Sequence, residues 1–304
     1  MAFSSFRSLM GASGGGGGGG GDPGAIFGFG HTGSYVSTIN HVSASGVVAT
    51  DTTGVGTSRA YLAAAAYSTS RAIFGYGSTG SASSISNLVS PSGVVATDTT
   101  GVGTAREGIA ATEYGTGRAI FGYGTGWASM TNLVSPSGVV ATDTTGVGTL
   151  RGYLAAARFG TIGKALFGYG YTGSNSSITN IVSASGAVAS DTAGVGTARR
   201  ALAATEYGTG RAIFGYGYTG GGAYKSITNL VSDVGVVATD TTGVGTARQN
   251  LAAAAYNTGK AIFGYGSTAS NHSVTNLVSV SGVVATDTTG VGTARNGLAA
   301  AKYG

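Results

Sequence analysis

The residues able to do chemistry in this chain are few and recur at fixed intervals. Six aspartates, Asp51, Asp98, Asp143, Asp191, Asp240 and Asp287, are each followed eight residues later by an arginine: Arg59, Arg106, Arg151, Arg199, Arg248 and Arg295. A carboxylate and a guanidinium flanking a T-T-G-V-G-T stretch could bind a ligand or satisfy each other. Six equal copies favour mutual satisfaction, with the Asp accepting from turn amides or pairing with an Arg of its own or a neighbouring unit. Five more cations, Arg71, Arg118, Lys164, Arg211 and Lys260, also recur, and the remaining five basic and five acidic residues cancel. The net charge of +5 therefore belongs to a site spaced around the molecule. A clustered stripe that tracks phosphates is a different pattern, which argues against nucleic acid as a partner.

Other chemistry finds little material. There is no cysteine, hence no disulfide and no thiolate ligand, and the three histidines, His31, His41 and His272, are scattered, so no metal and no cofactor is expected. The glycines of G-V-G-T and G-T-G lack the helix and Lys-Ser/Thr of a phosphate loop. Aromatic and polar side chains gather in segments of varying length: Tyr35, the single Trp127, Tyr171, Tyr218, Tyr224, Lys225 and His272. Such a loop set suits a contact surface for a sugar or a protein. Trp127 equally fits a plug folded over a shortened loop.

The segments that must position these residues repeat with a period in the forties, the signature of a propeller or array. With 58 glycines and 9% charged residues among 304, the chain reads as short strands and tight turns. Each unit divides into four strands: an Ala-rich L-A-A-A-A-Y (62–67), A-I-F-G-Y-G (72–77), I-S-N-L-V-S (85–90) and G-V-V-A-T (93–97). Gly75 and Gly77 should let a neighbouring backbone approach. The spacing from Asn87 to Asp98 to Arg106 is constant in all units, and length changes fall between the A-I-F-G motif and that Asn. There are six A-I-F or A-L-F segments and six Ala-rich ones. The first A-I-F, at 25–27, lacks an Ala-rich partner before it, and the last Ala-rich segment, at 298–303, lacks an A-I-F after it. Pairing these two gives an all-β fold: a six-bladed β-propeller of four-stranded blades, closed by the C-terminal Ala-rich strand against the first A-I-F strand.

The order R-x-x-L-A-A-A, K/R-A-I-F-G-Y-G, T-N-L-V-S resembles the kelch repeat over residues 25–304. The departures are G-Y-G in place of an adjacent glycine pair, and Thr-Asp-Thr-Thr-Gly-Val-Gly-Thr in place of the outer-strand Tyr and Trp. This Gly/Ser/Thr-rich form is similar to kelch-like repeat proteins of bacteriophages, especially those of marine cyanobacteria. The resemblance implies the fold and a binding role of open identity. Copper oxidases of the kelch type need a Cys-linked Tyr and His ligands, which this chain does not offer, so no enzyme is expected.

Residues 1–24 read as a separate region. Phe3, Phe6, Leu9 and Met10 could dock on a partner, and eight glycines from Gly14 to Gly21 form a flexible tether. The terminus lacks the apolar core of a secretory signal, and no run approaches the roughly 18 apolar residues of a membrane span. Together with the phage resemblance, this sets the expected function: a non-enzymatic structural or interaction module of a virion, anchored to other virion proteins through 1–24. The alternative is a glycan-binding adhesin or host-recognition module using the variable-loop rim.

Overall fold

The protein was analysed as a computed structural model, which describes residues 24–126 and 128–304. In chain order the strands are β1 (Gly24–His31) and β2 (Tyr35–Val42), then β3 (Ala63–Tyr67), β4 (Arg71–Gly75) and β5 (Ser86–Val89). β6 (Ala110–Tyr114), β7 (Arg118–Gly122) and β8 (Thr131–Val134) follow, then β9 (Ala155–Phe159), β10 (Lys164–Tyr171) and β11 (Asn175–Val182). The last are β12 (Ala203–Tyr207), β13 (Arg211–Tyr218), β14 (Tyr224–Val231), β15 (Ala252–Tyr256), β16 (Lys260–Gly264), β17 (Thr275–Val278) and β18 (Ala299–Tyr303). The described residues contain no helix, and the fold is all-β: six three-stranded antiparallel sheets, each running from an Ala-rich strand through an A-I-F or A-L-F strand to a strand of the pattern N-x-V. One sheet joins the two ends of the chain, β18 pairing with β1 in the register Phe27 to Ala300.

The expected fourth strand is corrected. The G-V-V-A-T segments touch their sheets only through isolated bridges, such as Val89 to Val95 and Ser86 to Thr99. A side chain stands where a ladder would continue: the Asn87 amide donates to the Ala96 carbonyl at 3.0 Å and to Asp98 at 2.9 Å.

The core lies between adjacent sheets. Ala63, Ile73 and Tyr76 of one sheet region pack with Ile109, Phe121 and Val134 of the next. Middle strands are therefore covered on both faces, and their A-I-F runs are apolar without alternation. The glycine before each Tyr makes room for a ring, where the sequence suggested a backbone. A Cβ on Gly75 would sit 2.7 Å from Cζ of Phe121, and one on Gly264 would sit 2.7 Å from Cζ of Phe27, so the pattern runs from the last sheet back to the first.

The inner strands adjoin in the order β3, β6, β9, β12, β15, β18 and back to β3. Just before them, one residue per unit takes the left-handed conformation, with φ from 53 to 61°: Tyr61, Gly108, Tyr153, Ala201, Asn250 and Gly297. Their backbones form a cycle of hydrogen bonds. The Tyr61 N–H donates to Gly297 at 2.7 Å, Gly297 to Asn250 at 2.9 Å, and Asn250 to Ala201 at 2.8 Å. Ala201 donates to Tyr153 at 2.8 Å, Tyr153 to Gly108 at 2.7 Å, and Gly108 to Tyr61 at 2.9 Å. The strain of positive φ at four non-glycine positions is offset by a bond that only this geometry completes.

Candidate functional site

The repeated charges hold neighbouring units together. Asp98 accepts from the Thr57 N–H at 3.0 Å, the Thr57 hydroxyl at 2.6 Å and the Asn87 amide at 2.9 Å. Arg59, fully buried, donates from Nε to the Tyr76 carbonyl at 2.8 Å and from Nη2 to Asn87 Oδ1 at 2.7 Å. Its guanidinium lies 4.2 Å above the Phe29 ring, whereas its nearest approach to Asp98 is 4.0 Å. Each Asp thus serves the Thr and Arg of the preceding unit, and the last unit serves the first: Thr293 donates to Asp51, and Arg295 to Asn40 at 2.7 Å. Asn40, Asn87, Asn132, Asn180, Asn229 and Asn276, all fully buried, are the hubs between Arg and Asp. Burial opposes the aspartate charge, but hydrogen bonds from Thr and Asn, with the Arg nearby, outweigh it and hold all six carboxyls below the usual value.

The variable-loop residues fall into separate groups. Tyr218 meets Tyr224 with ring centroids 5.3 Å apart, and Arg200 lies 4.3 Å over Tyr171 and 5.1 Å over Tyr218. Tyr35 packs edge-on to His31 at 5.3 Å, and His272 bonds Thr268 at 2.9 Å. Lys225 is part of β14, its backbone carbonyl accepting from the Arg248 N–H at 3.4 Å. Phe3, Phe6, Leu9, Met10 and Trp127 lie outside the described residues.

The most concentrated chemistry is elsewhere, at the axis. The fourth residue of each inner strand is Ala66 on β3, Glu113 on β6, Arg158 on β9, Glu206 on β12, Ala255 on β15 and Lys302 on β18. Equivalent register on adjoining strands brings four charges to one level. Arg158 Nη1 donates to Glu113 Oε1 at 2.9 Å, Lys302 Nζ lies 3.6 Å from Glu113 Oε2, and Lys302 also bonds Glu206. The Glu113 side chain is 11% exposed. Burial pushes its carboxyl above the ordinary glutamate value, against the pull of Lys302 and Arg158. Burial works against the Lys302 ammonium too, but Glu206 and Glu113 more than compensate and raise it.

Around these charges a narrow axial cavity of about 60 Å³ touches all six inner strands. Beside it opens a wider one of about 350 Å³, lined by Ser68, Arg71, Glu113, Thr116, Arg158 and Lys302 among others. The turns that follow these inner strands are tied to one another by backbone bonds: Ser68 to Gly117 at 2.8 Å, Gly115 to Gly163 at 2.6 Å, Gly160 to Gly210 at 2.8 Å and Gly208 to Gly259 at 2.7 Å. In the sequence these four charges disappear into the set that cancels. Aligning the Ala-rich segments exposes them, since all four departures from alanine at that position are charged.

No family model matches the chain and no curated protein matches it. Among solved structures it is similar to a fungal alcohol oxidase of the AA5 family, determined in complex with copper. The TM-score is 0.54 at 14% identity, over 90% of this chain and 63% of that one, so the chain spans under two thirds of the oxidase's length. The expectation of a non-enzymatic virion module, with a glycan-binding adhesin as alternative, is corrected by this likeness, because the protein that shares the fold is an enzyme. At that identity only the fold carries over, and activity has to be argued from this chain's own residues.

Proposed function

We propose that the chain is a closed, six-bladed propeller of kelch-like blades whose axial mouth is a small-molecule site lined by charged side chains. The observation that carries the reading is the convergence of Glu113, Arg158, Glu206 and Lys302 at one level of the axis, where two sister strands keep alanine, beside a polar cavity of about 350 Å³. Glu113 and Glu206 flank one ammonium, and Arg158 holds the first, so two carboxyls and two cations stand within reach of one bound molecule. A concave pocket with convergent polar groups and perturbed titration is where a ligand is first sought.

The copper named for the oxidase does not suit the donors here. Among the described residues no three of His, Cys, Asp and Glu gather as a metal set, and the sequence has no cysteine. His41 bonds the Tyr303 hydroxyl at 2.8 Å, at the opposite end of the β1–β2 pairing from His31.

The site is tested with a panel of small polar compounds, sugars, polyols and hydroxy acids, screened by thermal shift on the full chain and on Ala66→Phe, which sets a ring into the cavity lining. A compound that stabilises the wild type and not Ala66→Phe supports the site. A panel without effect on the wild type, or an equal shift in both proteins, contradicts it.

A further inference from the structure

We infer that the ligand of the axial mouth is a small anion, a carboxylate- or phosphate-bearing molecule, drawn in by five cations without carboxylate partners at the end of the molecule where the mouth opens. The inference rests on the reading of that mouth as a ligand site and adds the class of ligand.

Their placement comes from register. Arg71, Arg118, Lys164, Arg211 and Lys260 are the first residues of β4, β7, β10, β13 and β16, and the sixth equivalent position is Gly24 of β1. Each faces the last residue of an inner strand, Arg71 opposite Tyr67 and Lys260 opposite Tyr256, one step beyond the level of Glu113 and Lys302. All five therefore belong to the end of the molecule onto which the axial mouth opens. Four are exposed and Lys164 is half-buried. Among the described residues none has a carboxylate within 4.0 Å, in contrast to Arg158 and Lys302. Arg71 lies beside the Tyr67 hydroxyl, Arg118 beside Tyr114 and Arg211 beside Tyr207.

The carboxylates on the same end are few. Glu113 and Glu206 are engaged by Arg158 and Lys302, and Asp233 lies in an outer turn whose carbonyl is near Gly160. The cavity brings three cations, Arg71, Arg158 and Lys302, and the hydroxyls of Ser68, Ser70 and Thr116 together with a single glutamate, Glu113, which Arg158 and Lys302 already engage. An excess of one sign of charge around an opening raises the local concentration of the opposite charge and the rate of capture. A bound carboxylate or phosphate could accept from Lys302, releasing part of the hold on Glu113.

The probes are citrate, inorganic phosphate and uncharged sorbitol, titrated into the full chain at low and at physiological salt. We expect citrate or phosphate to bind and sorbitol not to, with affinity falling as salt rises. We expect Lys164→Gln/Arg211→Gln/Lys260→Gln, three positions outside the cavity lining, to slow association about tenfold with dissociation unchanged. Sorbitol or another neutral compound binding at the mouth in preference to both anions would overturn the inference and leave the site standing. Failure of every compound, charged or not, removes the site and the inference together. An anion bound with wild-type association rate and salt dependence in the triple variant also overturns the role of these cations.

Discussion

Arg158 and Glu113 occupy the same position on adjoining inner strands, β9 and β6, and meet at 2.9 Å with Glu113 nearly enclosed. Lys302, two strands away, reaches the other oxygen of Glu113 and bonds Glu206 as well. Removing one member of a buried pair leaves charge without compensation, which typically costs about 3 kcal/mol or more. Lys302→Met should therefore destabilise by about 2–3 kcal/mol, at the lower end because Lys302 is 33% exposed. Adding Glu113→Gln should recover part of the loss, so the double variant falls short of the sum of the singles. Additive losses in denaturant unfolding would mean the charges do not interact.

The six aspartates give a pH dependence of definite sign. Their folded pKa values lie below the ordinary one, so the stability they contribute is present above about pH 4 and lost as pH falls through the folded value. Acid unfolding should be steep, with several protons taken up together. Asp98→Asn should keep part of the Thr57 contact yet lower stability at pH 7 by about 2 kcal/mol, and should narrow the gap between pH 7 and pH 3. A melting profile as steep in Asp98→Asn as in the wild type would contradict this.

Lys302 acts at the alkaline end. Its raised pKa means a contribution fully present below the ordinary lysine value, about 10.4, and lost as pH rises through the folded value. The wild type should lose stability above that range by more than Lys302→Met does, measured by melting from pH 8 to 11.

Gly75 stands against the ring of Phe121. Gly75→Ala places a methyl 2.7 Å from Cζ, and overpacking of this kind costs about 1–3 kcal/mol. Phe121→Leu in the same chain should return some of that stability. No change in melting temperature for Gly75→Ala would show that the sheets can part without cost.

The architecture was legible because its signals are local and repeated: Ala-rich, A-I-F and N-L-V runs punctuated by glycine, and an unpaired run at each end that β18 and β1 satisfy together. The fourth strand was overread, since an alternating G-V-V-A-T looks like a strand until the Asn87 amide takes the Ala96 carbonyl. Gly75 was recognised as a place of close approach, but what approaches is a ring from the next sheet, a contact with no trace in local sequence. The axial charges were overlooked because Glu113, Arg158, Glu206 and Lys302 are 45 to 189 residues apart and meet only where the inner strands adjoin. Charge arithmetic cancelled them, whereas alignment by strand position places them on one level.

The axial site is tested most directly by a calorimetric titration of citrate, inorganic phosphate and sorbitol into the full chain and into Ala66→Phe. Saturable, salt-sensitive binding of an anion to the wild type is expected, together with its weakening or loss in Ala66→Phe, where the larger side chain obstructs the mouth. Equal heats for both proteins, or no binding of any of the three to the wild type, would contradict the presence of an anion site at the axis.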